Sequence, residues 1–145
     1  MNSVQRSALV AHPSARLYSL VADVEAYPRF LPWCSSATIQ ARHDDAVEAT
    51  IGIDFRGLRQ TFTTRNVLEP ERAITISLVR GPFKSLDGLW RFQTLAPDAS
   101  KVELTMRYEF ASSILARLAG PVFNHIASTL VDAFIRRADS LYRNA

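Results

Sequence analysis

The sequence predicts an α+β fold: a seven-stranded curved antiparallel sheet wrapped on a long C-terminal helix, with short helices after the first strand. Three observations carry this. From Ser36 to Phe110 the chain is a series of alternating segments separated by turn residues. The clearest, "KVELTMRYEF", puts Val102, Leu104, Met106, Tyr108 and Phe110 on one face and Lys101, Glu103, Thr105, Arg107 and Glu109 on the other, as in a sheet covered on one side. From Ser112 to Arg143 the period changes. Leu115, Leu118, Val122, Phe123, Ile126, Leu130, Phe134, Ala138 and Leu141 form a helical stripe, widened by Ala127 and Val131, that would cover the apolar face.

In chain order, Val4 to Ala11 is strand-like. Ser14 is then a candidate helix N-cap, with Leu17, Leu20, Val21 and Val24 at helical spacing. The helix should stop before Tyr27-Pro28, leaving one short turn around Arg29 to Leu31. "SATIQAR" leads to a turn at His43-Asp44-Asp45. "AVEATIGIDF" and "LRQTFTTRNVL" form a hairpin about Gly57, and Glu69-Pro70-Glu71 turns the chain into "AITISLVR". The loop "GPFK" precedes "SLDGLWRFQTL", in which Gly88 reads as close packing or a bulge. Pro97-Asp98 makes the last turn before Lys101, and Gly120-Pro121 predicts a kink or break in the long helix.

The bulk numbers narrow the function classes. With 145 residues and 48% hydrophobic content, the chain is sized for one globular domain. No run approaches the roughly 18 apolar residues of a membrane span, and the N-terminus lacks a signal-peptide core, which predicts no export. Cys34 is the single cysteine, which excludes an internal disulfide and fits a reducing cytoplasm. Of 17 basic residues only Lys84 and Lys101 are lysines. The arginine bias follows from base composition or from contact with an anionic partner such as RNA. No basic run exceeds Arg136-Arg137.

The stretch "YPRFLPWCSS" stands apart. Pro28 and Pro32 stiffen it, yet Tyr27, Phe30, Leu31 and Trp33 are too apolar for an exposed loop. They either plug one end of the core or form the rim of a cavity. The segments "LVADVEAYPRFLPWC", "FTTRN", "GPFKSLDGLWRF" and "VDAFIRRA" resemble, in the same order, the START-like (SRPBCC) superfamily. The similarity is greatest to the branch of the ribosome-association toxins and the coenzyme Q-binding START-like proteins. The resemblance implies one helix-grip domain over residues 1–145, a deep cavity between sheet and helix, and no need of catalytic apparatus.

A cavity of that kind would measure about 300–1,000 Å³. Its candidate lining is Phe30, Leu31, Trp33, Phe55, Phe62, Ile76, Trp90, Phe92, Met106 and Tyr108, faced by Phe123, Ile126, Leu130 and Phe134 of the helix. The same residues would equally make a dry core. Gln60, Thr64 and Asn66, with Thr94 at the same strand parity, are candidate contacts for a polar head group, or bond one another.

Catalytic and metal-binding motifs are lacking. His12, His43 and His125 have no metal-ligand spacing, and no local Ser/His/Asp motif occurs. Asp132 follows His125 by seven residues; Cys34 reads as a small buried residue or else a reactive thiol, and Lys84 as a solubilising or ion-paired group or else one that attracts an acidic group or ribosomal RNA. The first functional expectation is therefore a cytoplasmic carrier, peripheral at the inner membrane during transient contact. Its ligand would be a hydrophobic small molecule such as ubiquinone or another isoprenoid lipid, and it would support respiration without a resident cofactor. The alternative is a toxin that binds the large ribosomal subunit and blocks subunit joining, with an antitoxin partner that the sequence does not identify. A second alternative is a cyclase-like enzyme.

Overall fold

The computed structural model describes residues 2–142. Seven strands run as β1 (Asn2–Val10), β2 (Cys34–His43), β3 (Ala46–Phe55), β4 (Leu58–Glu69), β5 (Ala73–Arg80), β6 (Phe83–Ala96) and β7 (Ala99–Phe110). They form one antiparallel sheet in the order β1-β7-β6-β5-β4-β3-β2. Helix α1 (Ser14–Ala22) and a 3₁₀ segment (Val24–Arg29) carry the chain from β1 at one edge to β2 at the other. Helix α2 (Ser113–Tyr142) covers the concave face.

The period-two alternation sets which side chains face the helix. Leu104, Met106 and Phe110 are buried, Arg107 is exposed, and Glu103 and Glu109 are half-buried, the register expected of a sheet with one apolar face. Tight turns hold it. Arg56 and Gly57 join β3 to β4 with both φ angles positive (54° and 83°), and Phe55 pairs with Leu58 across the turn. Two positive φ angles match the right-handed twist of the flanking strands.

Four local expectations need correction. Ser14 is the first residue of α1 and does not cap it; its hydroxyl lies 2.5 Å from Thr94 Oγ1. The short turn comes earlier than expected, over Val24–Arg29, with Pro28 inside it. The "GPFK" loop shrinks to Gly81-Pro82, because Phe83 already pairs with Phe110. Gly88 marks no bulge: it pairs in register with Ile76 and Met106.

Helix α2 runs unbroken through Gly120-Pro121. Pro121 removes the N–H that Arg117 C=O would accept, but Arg117 is exposed, so water takes that place at little cost. Ser112 Oγ caps the helix, accepting from Leu115 N–H at 3.1 Å. By length and composition α2 is apolar enough to cross a membrane, contrary to the sequence expectation, yet Val122, Phe123, Ile126, Ala127, Val131, Phe134 and Ala138 are buried against the sheet. At its C-terminal end, the buried His12 Nε2 meets Asp139 Oδ1 at 2.7 Å, while His12 C=O accepts from Ser100 Oγ at 2.9 Å. This clamp, absent from the sequence reading, ties α2 to the β1–α1 corner.

Phe134 is 1% exposed and packs edge-on against Trp90, Tyr27 and Phe30, each at a ring separation of 5.4 Å. Phe134→Ala should lower stability by about 3–5 kcal/mol in denaturant titration. Asp132→Ala, on the exposed face of the same helix, should change it by less than about 0.5 kcal/mol.

Candidate functional site

Two concavities meet at the "YPRFLPWC" segment. Backbone hydrogen bonds hold that segment in place: Leu31 N–H donates to Tyr27 C=O at 2.9 Å, Cys34 N–H to Leu31 C=O at 3.0 Å, and Asp54 N–H to Trp33 C=O at 3.0 Å. The Tyr27 phenol donates to Val21 C=O, and burial pushes its pKa above the usual tyrosine range.

The first concavity lies between sheet and α2. It is lined by Val24, Tyr27 and Trp33, by the sheet residues Ile51, Ile53, Phe62, Thr64, Asn66, Ile76, Leu86, Trp90 and Met106, and by Phe123, Ile126, Ala127, Leu130 and Phe134. Two aromatic groups bracket it. At one end Phe62, Phe83, Tyr108, Phe110 and Phe123 pack edge to face or stacked, with Tyr108–Phe123 at 4.6 Å. At the other end Phe134 gathers Tyr27, Phe30 and Trp90, and Trp90 stacks on Phe92 at 6.1 Å. Between them Gly88 stands in one cross-strand row with Ile76 and Met106 and contributes no side chain.

The space that remains is small, about 80 Å³. That is well below the expected 300–1,000 Å³ and below the roughly 150 Å³ of a site that takes up benzene. Of the expected lining, Trp33, Phe62, Ile76, Trp90, Met106, Phe123, Ile126, Leu130 and Phe134 do border the cavity. Phe30, Leu31, Phe55, Phe92 and Tyr108 do not. Phe92 and Tyr108 are core plugs, Phe30 and Phe55 face a second concavity, and the buried Leu31 also borders that concavity. Val24, Ile51, Ile53, Leu86 and Ala127 border the cavity without having been in the expected lining, and Tyr27, a candidate for the rim, borders it as well. Helical spacing placed Val24 and Ala127 on apolar stripes but did not show which stripe positions would border empty space.

The polar candidates also separate. Thr64 Oγ1 donates to Asn66 Oδ1 at 2.9 Å, both buried on the cavity wall. Gln60 lies apart in a surface depression beside Asp54 and Arg59, and Thr94 is exposed. Tyr27 is the one titratable side chain in the cavity lining. His125 and Asp132 are both exposed, and among the described residues they form no ion pair. Lys84 Nζ lies 4.0 Å from Glu109. No cluster of three or more potential metal ligands occurs among the described residues.

The second concavity, about 340 Å³, is a groove on the other side of Trp33. It is bordered by Phe30, Leu31, Pro32, Trp33 and Phe55, and on α2 by His125, Thr129, Ala133, Arg136, Arg137 and Ser140. The Arg137 guanidinium carbon sits 5.0 Å above the Phe30 ring, and that of Arg56 4.8 Å above Phe55, which stacks on His125 at 6.0 Å and 10°. In the sequence this groove left a single weak trace, the pair Arg136-Arg137.

Two expectations follow. Gly88→Ala adds a methyl whose nearest neighbours, Thr105 O at 3.5 Å and Ile76 at 3.7 Å, are at ordinary contact distance. It should raise stability by about 0.5–1 kcal/mol while narrowing the cavity, as thermal denaturation would show. Burial of Cys34 pushes its thiol up to about 11 from 9.0, and hydrogen bonding to the Ser36 backbone opposes this in part. The folded state therefore keeps the thiol proton where the unfolded chain loses it. Stability should be unaffected below pH 9 and fall as pH rises from 9 toward 11, a fall that Cys34→Ala would reduce.

Residues 10–135 match the family described as polyketide cyclase/dehydrase and lipid transport. The chain is 41% identical over 139 residues to the ribosome association toxin RatA of Pseudomonas aeruginosa, covering 96% of each protein. It is 24% identical over 131 residues to the mitochondrial coenzyme Q-binding protein COQ10 homolog B of Xenopus laevis, covering 88% of this chain and 54% of that one. A START superfamily protein from Mycobacterium smegmatis superposes with a TM-score of 0.78 at 24% identity, covering 96% of this chain and 98% of that one. The family match spans most of the chain and the fold agrees with it, so the chain belongs to the polyketide cyclase/dehydrase and lipid transport family.

Proposed function

We propose that this protein acts on the translation apparatus, binding the large ribosomal subunit and hindering subunit joining. The observation that carries this reading is the end-to-end similarity, at 41% identity, to a protein named for ribosome association. Two features of the molecule agree with it. The cavity of about 80 Å³ is too small for a quinone head group with an isoprenoid tail, whereas the surface presents arginines that, among the described residues, have no acidic partner and lie over the half-buried rings of Phe30 and Phe55. This reverses the order of the two readings that the sequence favoured.

Carriage of a hydrophobic ligand is the second reading. The similarity to a coenzyme Q-binding protein and the apolar lining around the Thr64–Asn66 pair favour it. Such a ligand would have to part α2 from the sheet or turn Phe62, Trp90 or Phe134 out of its aromatic cluster. Cyclase-like chemistry would need a general acid and base in the cavity. Tyr27, its phenol held by Val21 C=O, is a poor candidate for either role.

The test is sedimentation with purified ribosomal subunits over a range of salt, for the native chain and for Gly88→Val. The ribosome-directed reading expects salt-sensitive sedimentation with the large subunit, unchanged by a substitution that fills the cavity. An isoprenoid lipid found by native mass spectrometry of protein from its own host, with no sedimentation at low salt, would overturn it and restore the carrier.

A further inference from the structure

We propose that the groove between the Phe30–Trp33 segment and the C-terminal half of α2 binds single-stranded RNA, with an unpaired base on its aromatic floor and phosphates against Arg136, Arg137 and Arg56. The proposal rests on the ribosome-directed reading and deepens it by giving that reading a surface and a ligand class.

Charge is the first argument. Arg136, Arg137 and His125 line the groove, and among the described residues no carboxylate does. Among the described residues neither these arginines nor Arg56 forms an ion pair, whereas Arg59 and Arg107 are each matched to an aspartate. Arg137 Nε is buried without a hydrogen-bond partner. A buried guanidinium N–H left unpaired is costly, and an anionic oxygen arriving in the groove would satisfy it.

The floor is the second argument. Phe30, Trp33, Phe55 and His125 give the groove four flat rings, two of them already stacked on each other, with guanidinium planes over Phe30 and Phe55. Aromatic faces beside arginines suit nucleobases, because every base has a π-face and every linkage a phosphate. An anionic lipid surface would meet the arginines but would have no use for stacked rings recessed in a groove, so RNA is the better fit. The volume of about 340 Å³ is also within the range of small-ligand sites.

The third argument is backbone strain. Arg56 takes a φ of 54°, where asparagine or glycine is favoured. The turn holds an arginine there, and its guanidinium lies over a ring of the groove floor.

The test uses the intact chain with a fluorescein-labelled ten-nucleotide single-stranded RNA, a duplex of the same length and phosphatidylglycerol vesicles. The native protein should bind the single strand more tightly than the duplex and quench Trp33 emission in a Trp90→Phe background. Arg136→Gln/Arg137→Gln should weaken binding about tenfold. It should also lower the slope of log K against log salt by about 1.4, at roughly 0.7 per lost phosphate contact. Arg56→Asn should raise the thermal midpoint while weakening RNA binding, so a gain in folding and a loss in affinity appear together. Arg72→Gln/Arg91→Gln, which removes two exposed arginines that line a different depression, should leave affinity within about twofold. Equal losses in both double variants, no preference for the single strand, or arginine-dependent binding to vesicles alone would overturn the groove assignment. Sedimentation of the native chain with the large subunit, measured alongside, separates the two claims. If it persists without oligonucleotide binding, the groove fails and the ribosome-directed reading stands.

Discussion

The architecture depends on two phenylalanines of one helix. Phe123 and Phe134 are eleven residues apart, three turns of α2 and about 16.5 Å of rise. Each is buried at the centre of an aromatic cluster drawn from distant strands: Phe123 among Phe62, Phe83, Tyr108 and Phe110, and Phe134 among Tyr27, Phe30 and Trp90. These insertions fix how deeply the helix sits in the sheet. Between them α2 offers Ala127, which reaches less far, and β6 offers Gly88, which has no side chain. The cavity is what remains between two filled ends, and its small volume follows from the size of the rings on either side.

Trp33 separates this cavity from the groove, since it borders both. The two concavities differ in character although they share a wall. One is enclosed by apolar side chains and holds a single internally satisfied polar pair, Thr64–Asn66. The other opens to solvent, carries arginines that form no ion pair among the described residues, and presents ring faces. Burial drives the first to exclude water, and surplus positive charge makes the second attractive to phosphate. A domain that carries both can serve different functions in related chains by enlarging one or charging the other, because the packing that sets the fold is common to both.

The fold was largely legible in the sequence because alternation is a local property. Residues such as Leu104, Met106 and Phe110 declare their face through their immediate neighbours. The errors arose where a distant residue decided the outcome. Ser14 reads as a helix cap until Thr94, eighty positions away, takes its hydroxyl. Pro121 reads as a break, yet the helix, packed against the sheet, continues through it. The cavity lining was legible by strand parity at Phe62, Ile76, Trp90 and Met106 and by helical spacing at Phe123, Ile126, Leu130 and Phe134, but Tyr108 and Phe92 share the strand parity and are plugs. Period-two reasoning gives direction and not depth. The groove was hardest to foresee, because its contacts join Phe30 to Arg137 and Phe55 to His125, pairs that no local pattern connects.

The proposed function turns on whether the groove meets ribosomal RNA, and a reconstruction by electron cryomicroscopy of the protein mixed with the large subunit would decide it. The account predicts the C-terminal half of α2 and the Phe30–Trp33 segment against ribosomal RNA, with Arg136 and Arg137 at phosphates and an unstacked base over Phe30 or Phe55. A complex in which that groove faces solvent, or one held through the outer face of the sheet, would contradict it.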